Sequence, residues 1–147
     1  MSARAMRPPR ILLIEDNPAD ARLVKECLCE EMPSAELWIA KDGEEGLRIL
    51  NDGAASKRPL PDIVLLDLNM PRLDGHEVLR EIKQSSELRS LPVIVLTSSG
   101  YEADVQRAYD LQASSYIVKP SNLDDLEMTV RSIVHFWFES ARLPERK

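Results

Sequence analysis

No stretch of the 147-residue chain approaches the roughly 18 consecutive apolar residues of a membrane-spanning helix. The opening MSARAMRPPR lacks the hydrophobic segment of an export signal, so a cytoplasmic protein with no membrane partner is expected. Cysteine is scarce. Cys27 and Cys29 stand two apart in a helical pattern, where side chains point to different faces; neither a disulfide nor a metal pair is expected, and both read as buried small hydrophobes. Positive charge is short as well. The 19 Lys and Arg against 25 Asp and Glu, a net charge of −6 and no basic stripe argue against nucleic acid as a partner. Aromatic residues make up only 5%, yet the 44% of hydrophobic residues suffices for the core of one globular domain.

What is present is an alternation. ILLI (11–14), IVLL (63–66) and VIVL (93–96) are short, continuous and β-branched, as in parallel strands covered on both faces. LWIA, within 36–40, and SYIV, 115–118, are shorter candidates. Helical patterns lie between and after them, at about 18–31, 43–53, 75–84, 101–111 and 122–139. Asp74 or Gly75 can open the third helix and Ser121 or Asn122 the fifth. The order βαβαβαβαβα implies right-handed crossovers and an α/β, doubly wound parallel sheet with helices on both faces. GAASKRPLP, 53–61, reads as a loop into the third strand and not as a domain boundary.

In such a sheet ligands bind beyond the carboxyl ends of the strands. The residues at those ends are Glu15 and Asp16, Asp67, Thr97 and Ser98, and Lys119. Asp67, in VLLDLNMP, can be read simply as a strand-ending Asp that opens a turn with Asn69 and Pro71. Its company points further. Three carboxylates a few ångströms apart repel by about 4 kcal/mol per pair at an effective dielectric near 20, so a cation is needed. A set of hard oxygen donors suits Mg²⁺. Zinc is not expected, because His76 and His135 belong to no ligand-like cluster and read as surface residues.

Together LLIEDN, VLLDLNMPRLDG, VIVLTSS and YIVKP resemble the receiver domain of two-component response regulators, over about residues 8–135. The resemblance implies a flavodoxin-like sheet of order 2-1-3-4-5 with five helices. It implies that Asp67 is the phosphoacceptor, that Asp16 and Asp67 ligate Mg²⁺ directly, that Glu15 acts through a bound water and that Asn69 offers its backbone carbonyl. Lys119 would neutralise charge on the transferring oxygens. Thr97 would bond the new phosphoryl group, and Tyr116 would turn inward as Thr97 moves. A cis bond is common in the family between the positions of Lys119 and Pro120. Gly75 is the weakest match, since a glycine at a helix start can simply serve the turn. Glu15 stands where Asp is common, and Asn69 and Ser99 occupy the positions that influence hydrolysis in this family; slow self-dephosphorylation is expected.

The expected layout is a flexible segment 1–8, a receiver domain 9–139 and a tail 140–147. After residue 139 only SARLPERK remains, so a protein contact is the expected output. Phe136, Trp137 and Phe138 are consecutive and cannot all face one core at about 100° per residue, so at least one should be exposed or meet a partner. This tail, with the KDGEEGLRIL stretch and the long loop before the third strand, resembles the single-domain regulators paired with bacterial phytochrome histidine kinases, where the tail takes part in homodimers; Leu143 is expected among its contact residues with the three aromatics. A histidine kinase is therefore the expected partner and a homodimer the expected state, against a tail folded back on its own sheet. Two other readings stand beside a phosphorelay protein that is not an enzyme: an Asp-nucleophile phosphatase of the haloacid-dehalogenase kind, and a receiver-shaped interaction module that needs no phosphate.

Overall fold

The computed structural model describes residues 7–146. Five strands, β1 (Arg10–Ile14), β2 (Glu36–Ala40), β3 (Ile63–Leu66), β4 (Val93–Thr97) and β5 (Ser115–Val118), form one sheet in the order β2-β1-β3-β4-β5, every pair parallel. The helices are α1 (Pro18–Glu31), α2 (Gly43–Ala54), α3 (Gly75–Gln84), α4 (Glu102–Asp110) and α5 (Leu123–His135).

Strand alternation divides the core into two layers. Leu12, Ile14, Val64, Leu66, Val93 and Val95 face one side, where Leu50, Leu79, Ile82 and Ala108 of α2, α3 and α4 cover them. Ile11, Leu13, Ile63, Leu65, Ile94 and Leu96 face the other, against Val24 and Leu28 of α1 and Leu126, Val130 and Ile133 of α5. Because β1, β3 and β4 are covered on both faces, their sequences are apolar without alternation.

Four of the five helix starts are fixed by side-chain caps, α4 being the exception. Asn17 accepts from the N–H groups of Ala19 and Asp20, Asp42 from Glu45, Asp74 from Glu77 and Asn122 from Asp125. Asp74 and Asn122 thus settle the two open cap positions. Pro18 opens α1, where its missing N–H costs nothing.

The fifth helix ends earlier than its pattern implies. Residues 136–140 form a wider π-type turn closed by the Ala141 N–H on the Phe136 carbonyl. That turn directs the aromatic run: Trp137 and Phe138 pack against the α1/α5 core layer, whereas Phe136 is exposed and meets Trp137 edge-to-face at 5.1 Å. Leu143 is buried in the same layer, so the tail folds back on its own domain and Leu143 is not an exposed contact residue.

The expected flexible segment 1–8 lies mostly outside the described residues, and Lys147 does too. Arg7 is held, its guanidinium meeting both oxygens of buried Asp62 at 3.0 and 3.1 Å and the Arg146 carbonyl at 3.3 Å. Two further expectations change. Cys27 is buried but Cys29 is exposed, because positions two apart point to opposite sides of α1. His76 is buried rather than on the surface, since the first turn of α3 faces α4 and the ring meets Asp104 at 3.3 Å. His135 is exposed as expected. Among the described residues no helix is long and apolar enough to cross a membrane.

Candidate functional site

The carboxyl ends of β1, β3, β4 and β5 bring the candidate residues together. Parallel register sets Ile14 beside Leu66, so Glu15 and Asp16 follow one strand just where Asp67 follows its neighbour. One carboxylate oxygen from each of Glu15, Asp16 and Asp67 lies within 4.8 Å of the others. Glu15 and Asp67 are buried, and Asp16 is half-buried.

Lys119, at the end of β5, supplies the positive charge. Its Nζ contacts Glu15 Oε1, Asp20 Oδ2 at 3.0 Å and Asp67 Oδ2 at 3.2 Å. The expected cis bond is not found: among the described residues every peptide bond is trans, the ordinarily favoured form. The amine reaches the acids in that form, with the Lys119 N–H anchored on the Thr97 carbonyl at 2.7 Å.

The other oxygen of Asp67 is also engaged. The Thr97 hydroxyl donates to Asp67 Oδ1 at 2.6 Å, and the Asn69 N–H donates to the same atom at 3.2 Å. Burial pulls the Asp67 carboxyl upward, but hydrogen bonding by Glu15 and Thr97, the Lys119 charge and the Asn69 N–H outweigh it and hold the group below the usual carboxylate range. Glu15 goes the other way. Its burial, then the hydrogen bond and charge of Asp67, raise it to about 7 despite Lys119. Lys119 is driven downward by burial and more strongly upward by Glu15, Asp67 and Asp20, so it stays protonated. The pocket therefore holds an ionised Asp67 beside a carboxyl that is half-protonated near neutrality.

This donor set fits a divalent cation. Hard carboxylate oxygens converge, and a cation replacing the Glu15 proton would offset the burial and the Asp67 charge that raise its pKa. Asn69 is exposed at the rim, with its amide 3.5 Å from the Thr97 hydroxyl.

Tyr116 is half-buried, its ring against the α2/α3/α4 core layer and its hydroxyl donating to the Ser99 carbonyl at 2.8 Å. Ser99 in turn donates to Asp104 Oδ2 at 2.6 Å, and Asp104 meets His76. Gly75 has a sharper reason than turn-making: a Cβ there would lie 2.4 Å from the Asp67 carbonyl oxygen and 2.6 Å from Leu68 Cα. Helix α3 can abut the β3 end only without a side chain.

Sequence reasoning missed Asp20 and the chain Ser99, Asp104, His76. Asp20 carried a faint signal as an acid in the first turn of a helix that follows the acid pair. Nothing in the spacing of His76 and Asp104 announced their contact.

The family model "Response regulator receiver domain" matches residues 11–131. Response regulator Rcp1 of Synechocystis sp. is 44% identical over 145 residues, which cover 98% of this chain and 99% of that one. The phosphorylated cyanobacterial phytochrome response regulator RcpA superposes with a TM-score of 0.88 at 41% identity, covering 94% and 99% of the two chains. The Mn²⁺-bound form of Rcp1 superposes with a TM-score of 0.85 at 45% identity, covering 93% and 99%.

Proposed function

The chain belongs to the response regulator receiver family, and from that premise we propose that Asp67 accepts a phosphoryl group from a histidine kinase. One observation carries this reading. Both oxygens of a single buried, ionised carboxylate are pre-oriented, Oδ2 by the Lys119 ammonium and Oδ1 by Thr97 and the Asn69 N–H.

A carboxylate kept ionised needs no base to attack phosphorus. An Asp67 oxygen forms the new P–O bond while the bond from phosphorus to the kinase imidazole nitrogen breaks, the electron pair leaving with that nitrogen. Lys119 stands where negative charge gathers on the phosphoryl oxygens. Glu15, Asp16 and Asp67, with the Asn69 backbone carbonyl, are the residues that would hold Mg²⁺, Glu15 through a water. When bound, the cation supplies charge neutralisation for the phosphoryl oxygens. The phosphatase reading loses support because Asn69, not Asp, stands two residues after Asp67 and engages it through its N–H. The protein thus acts as a stoichiometric acceptor, not a turnover enzyme.

After transfer, the Thr97 hydroxyl turns from Asp67 to a phosphoryl oxygen. Tyr116 follows, because its hydroxyl hangs on Ser99 just beyond Thr97. The result is a two-state element biased by one local contact. Ser99 spends its hydroxyl on Asp104 instead of on an attacking water, which favours a long-lived phosphoryl group.

The kinase is a phytochrome-type light sensor, a reading supported by the likeness to Rcp1 and RcpA across the tail-bearing length of the chain. The protein works in the cytoplasm, and the exposed Phe136 contributes to a homodimer. Phosphotransfer from a panel of phosphorylated histidine kinases tests the pairing: the light-sensing member should label the chain fastest. Equal or slower labelling than by unrelated kinases would remove it.

A further inference from the structure

At the opposite end of the sheet from Asp67, the loop between α2 and β3 and the C-terminal tail line an open cavity of about 560 Å³. Lys57, Arg58 and Arg146 line it, together with Gly53, Ser56, Pro59 and Leu60, and no acid is among the described residues of the wall. Such an excess of cations is unexpected in a chain of net charge −6.

Both guanidinium groups are fixed in place and incompletely satisfied. Arg58 lies 4.4 Å above the Trp38 ring, and Arg146 donates to Ser90 Oγ at 3.1 Å. Yet Nε of each is shielded from solvent and has no hydrogen-bond partner. An unpaired charged donor shielded from water is costly, so an anion placed in the cavity beside the two guanidinium groups would offset part of that cost electrostatically. Asp62 acts on Arg146 through its charge, but its carboxylate oxygens are bonded by the Arg7 fork and the Arg10 N–H. Burial lowers the Arg146 pKa; the Asp62 charge opposes that shift and the Arg7 charge adds to it.

We propose that this cavity binds a small phosphorylated ligand, with the phosphate held by Arg58, Arg146 and Lys57 and the remainder lying against Pro59 and Leu60. Planar guanidinium forks match the oxygens of a phosphate, and the volume falls in the ordinary range of about 300–1,000 Å³ for small-molecule sites. The site is separate from phosphoryl acceptance, and its occupancy does not require Asp67.

The test uses inorganic pyrophosphate on the full chain, in EDTA so that no divalent cation recruits it to the acid pocket, with binding followed by amide chemical shifts. Saturable shifts confined to residues 53–60 and the tail are expected, with affinity lowered roughly tenfold in Arg58→Gln and again in Lys57→Gln. Lys57 is exposed, so its variant reports on binding even if Arg58→Gln perturbs the fold. Sedimentation with phosphatidate vesicles forms the second arm. Binding to vesicles that Lys57→Gln abolishes assigns the phosphate to a lipid headgroup, and pyrophosphate binding alone assigns it to a free metabolite. No saturable binding in either arm, equal affinity in the variants, or shifts centred on Asp67 would overturn the proposal.

Discussion

Lys119→Met removes the one cation among the described residues that touches Glu15, Asp20 and Asp67 together, and it does so without adding volume. The side chains of Glu15 and Asp67 are only 1% and 7% exposed, so water cannot take over the neutralisation. Two carboxylates about 4 Å apart repel by roughly 4 kcal/mol at an effective dielectric near 20. Breaking a buried ion pair by deleting one partner costs about 3–5 kcal/mol. For a domain of this size each kcal/mol corresponds to about 2–4 °C, so the melting temperature in EDTA at about pH 8 should fall by roughly 6–20 °C. The loss should shrink at about pH 5.5, where Glu15, whose pKa is already about 7, carries its proton. Mg²⁺ should recover part of it, about 2.7 kcal/mol at a hundredfold excess over the dissociation constant. Thermal melts by circular dichroism under these three conditions suffice. An Lys119→Met protein as stable as wild type in EDTA at the higher pH would refute the electrostatic account of the pocket.

Other consequences follow from the same contacts. Glu15 has its folded pKa raised from 4.5 to about 7, so its stabilising contribution is complete below the lower value and is lost as pH rises through the upper one. Urea titrations of the metal-free protein should show stability falling by on the order of 3 kcal/mol across that window, and a flat profile would contradict it. Gly75→Ala drives a methyl into the Asp67 carbonyl and should cost about 1–3 kcal/mol while slowing labelling by acetyl phosphate; normal stability with normal labelling would contradict the close approach. Leu143→Ala should destabilise by about 2–5 kcal/mol in a chemical denaturation curve because the residue is core. Phe136→Ala should leave that curve unchanged and lower the dimer fraction measured by sedimentation; a dimer unaffected by it would place the interface elsewhere.

The fold was legible because its three central strands are buried on both faces. IVLL and VIVL could not be amphipathic helices of ordinary length, and the residue after each fell at a ligand-binding edge whatever the details of packing. Glu15, Asp16, Asp67, Thr97 and Lys119 were found this way, since strand ends are a one-dimensional property. Asp20, His76 and Asp104 were not, because their meeting depends on how helices lean on the sheet, which no local periodicity encodes. The tail was half-legible. Three consecutive aromatics required one outward ring, but the π-type turn that selects Phe136 and returns Leu143 to the core comes from tertiary packing.

The reaction itself offers the most direct test. Wild-type protein and Asp67→Asn are each incubated with acetyl phosphate, with Mg²⁺ and with EDTA, and weighed intact by mass spectrometry. One phosphoryl group should appear on the wild type only, and only with the cation present. A phosphoryl group on Asp67→Asn at the wild-type rate, or none on either protein, would contradict the assignment of Asp67.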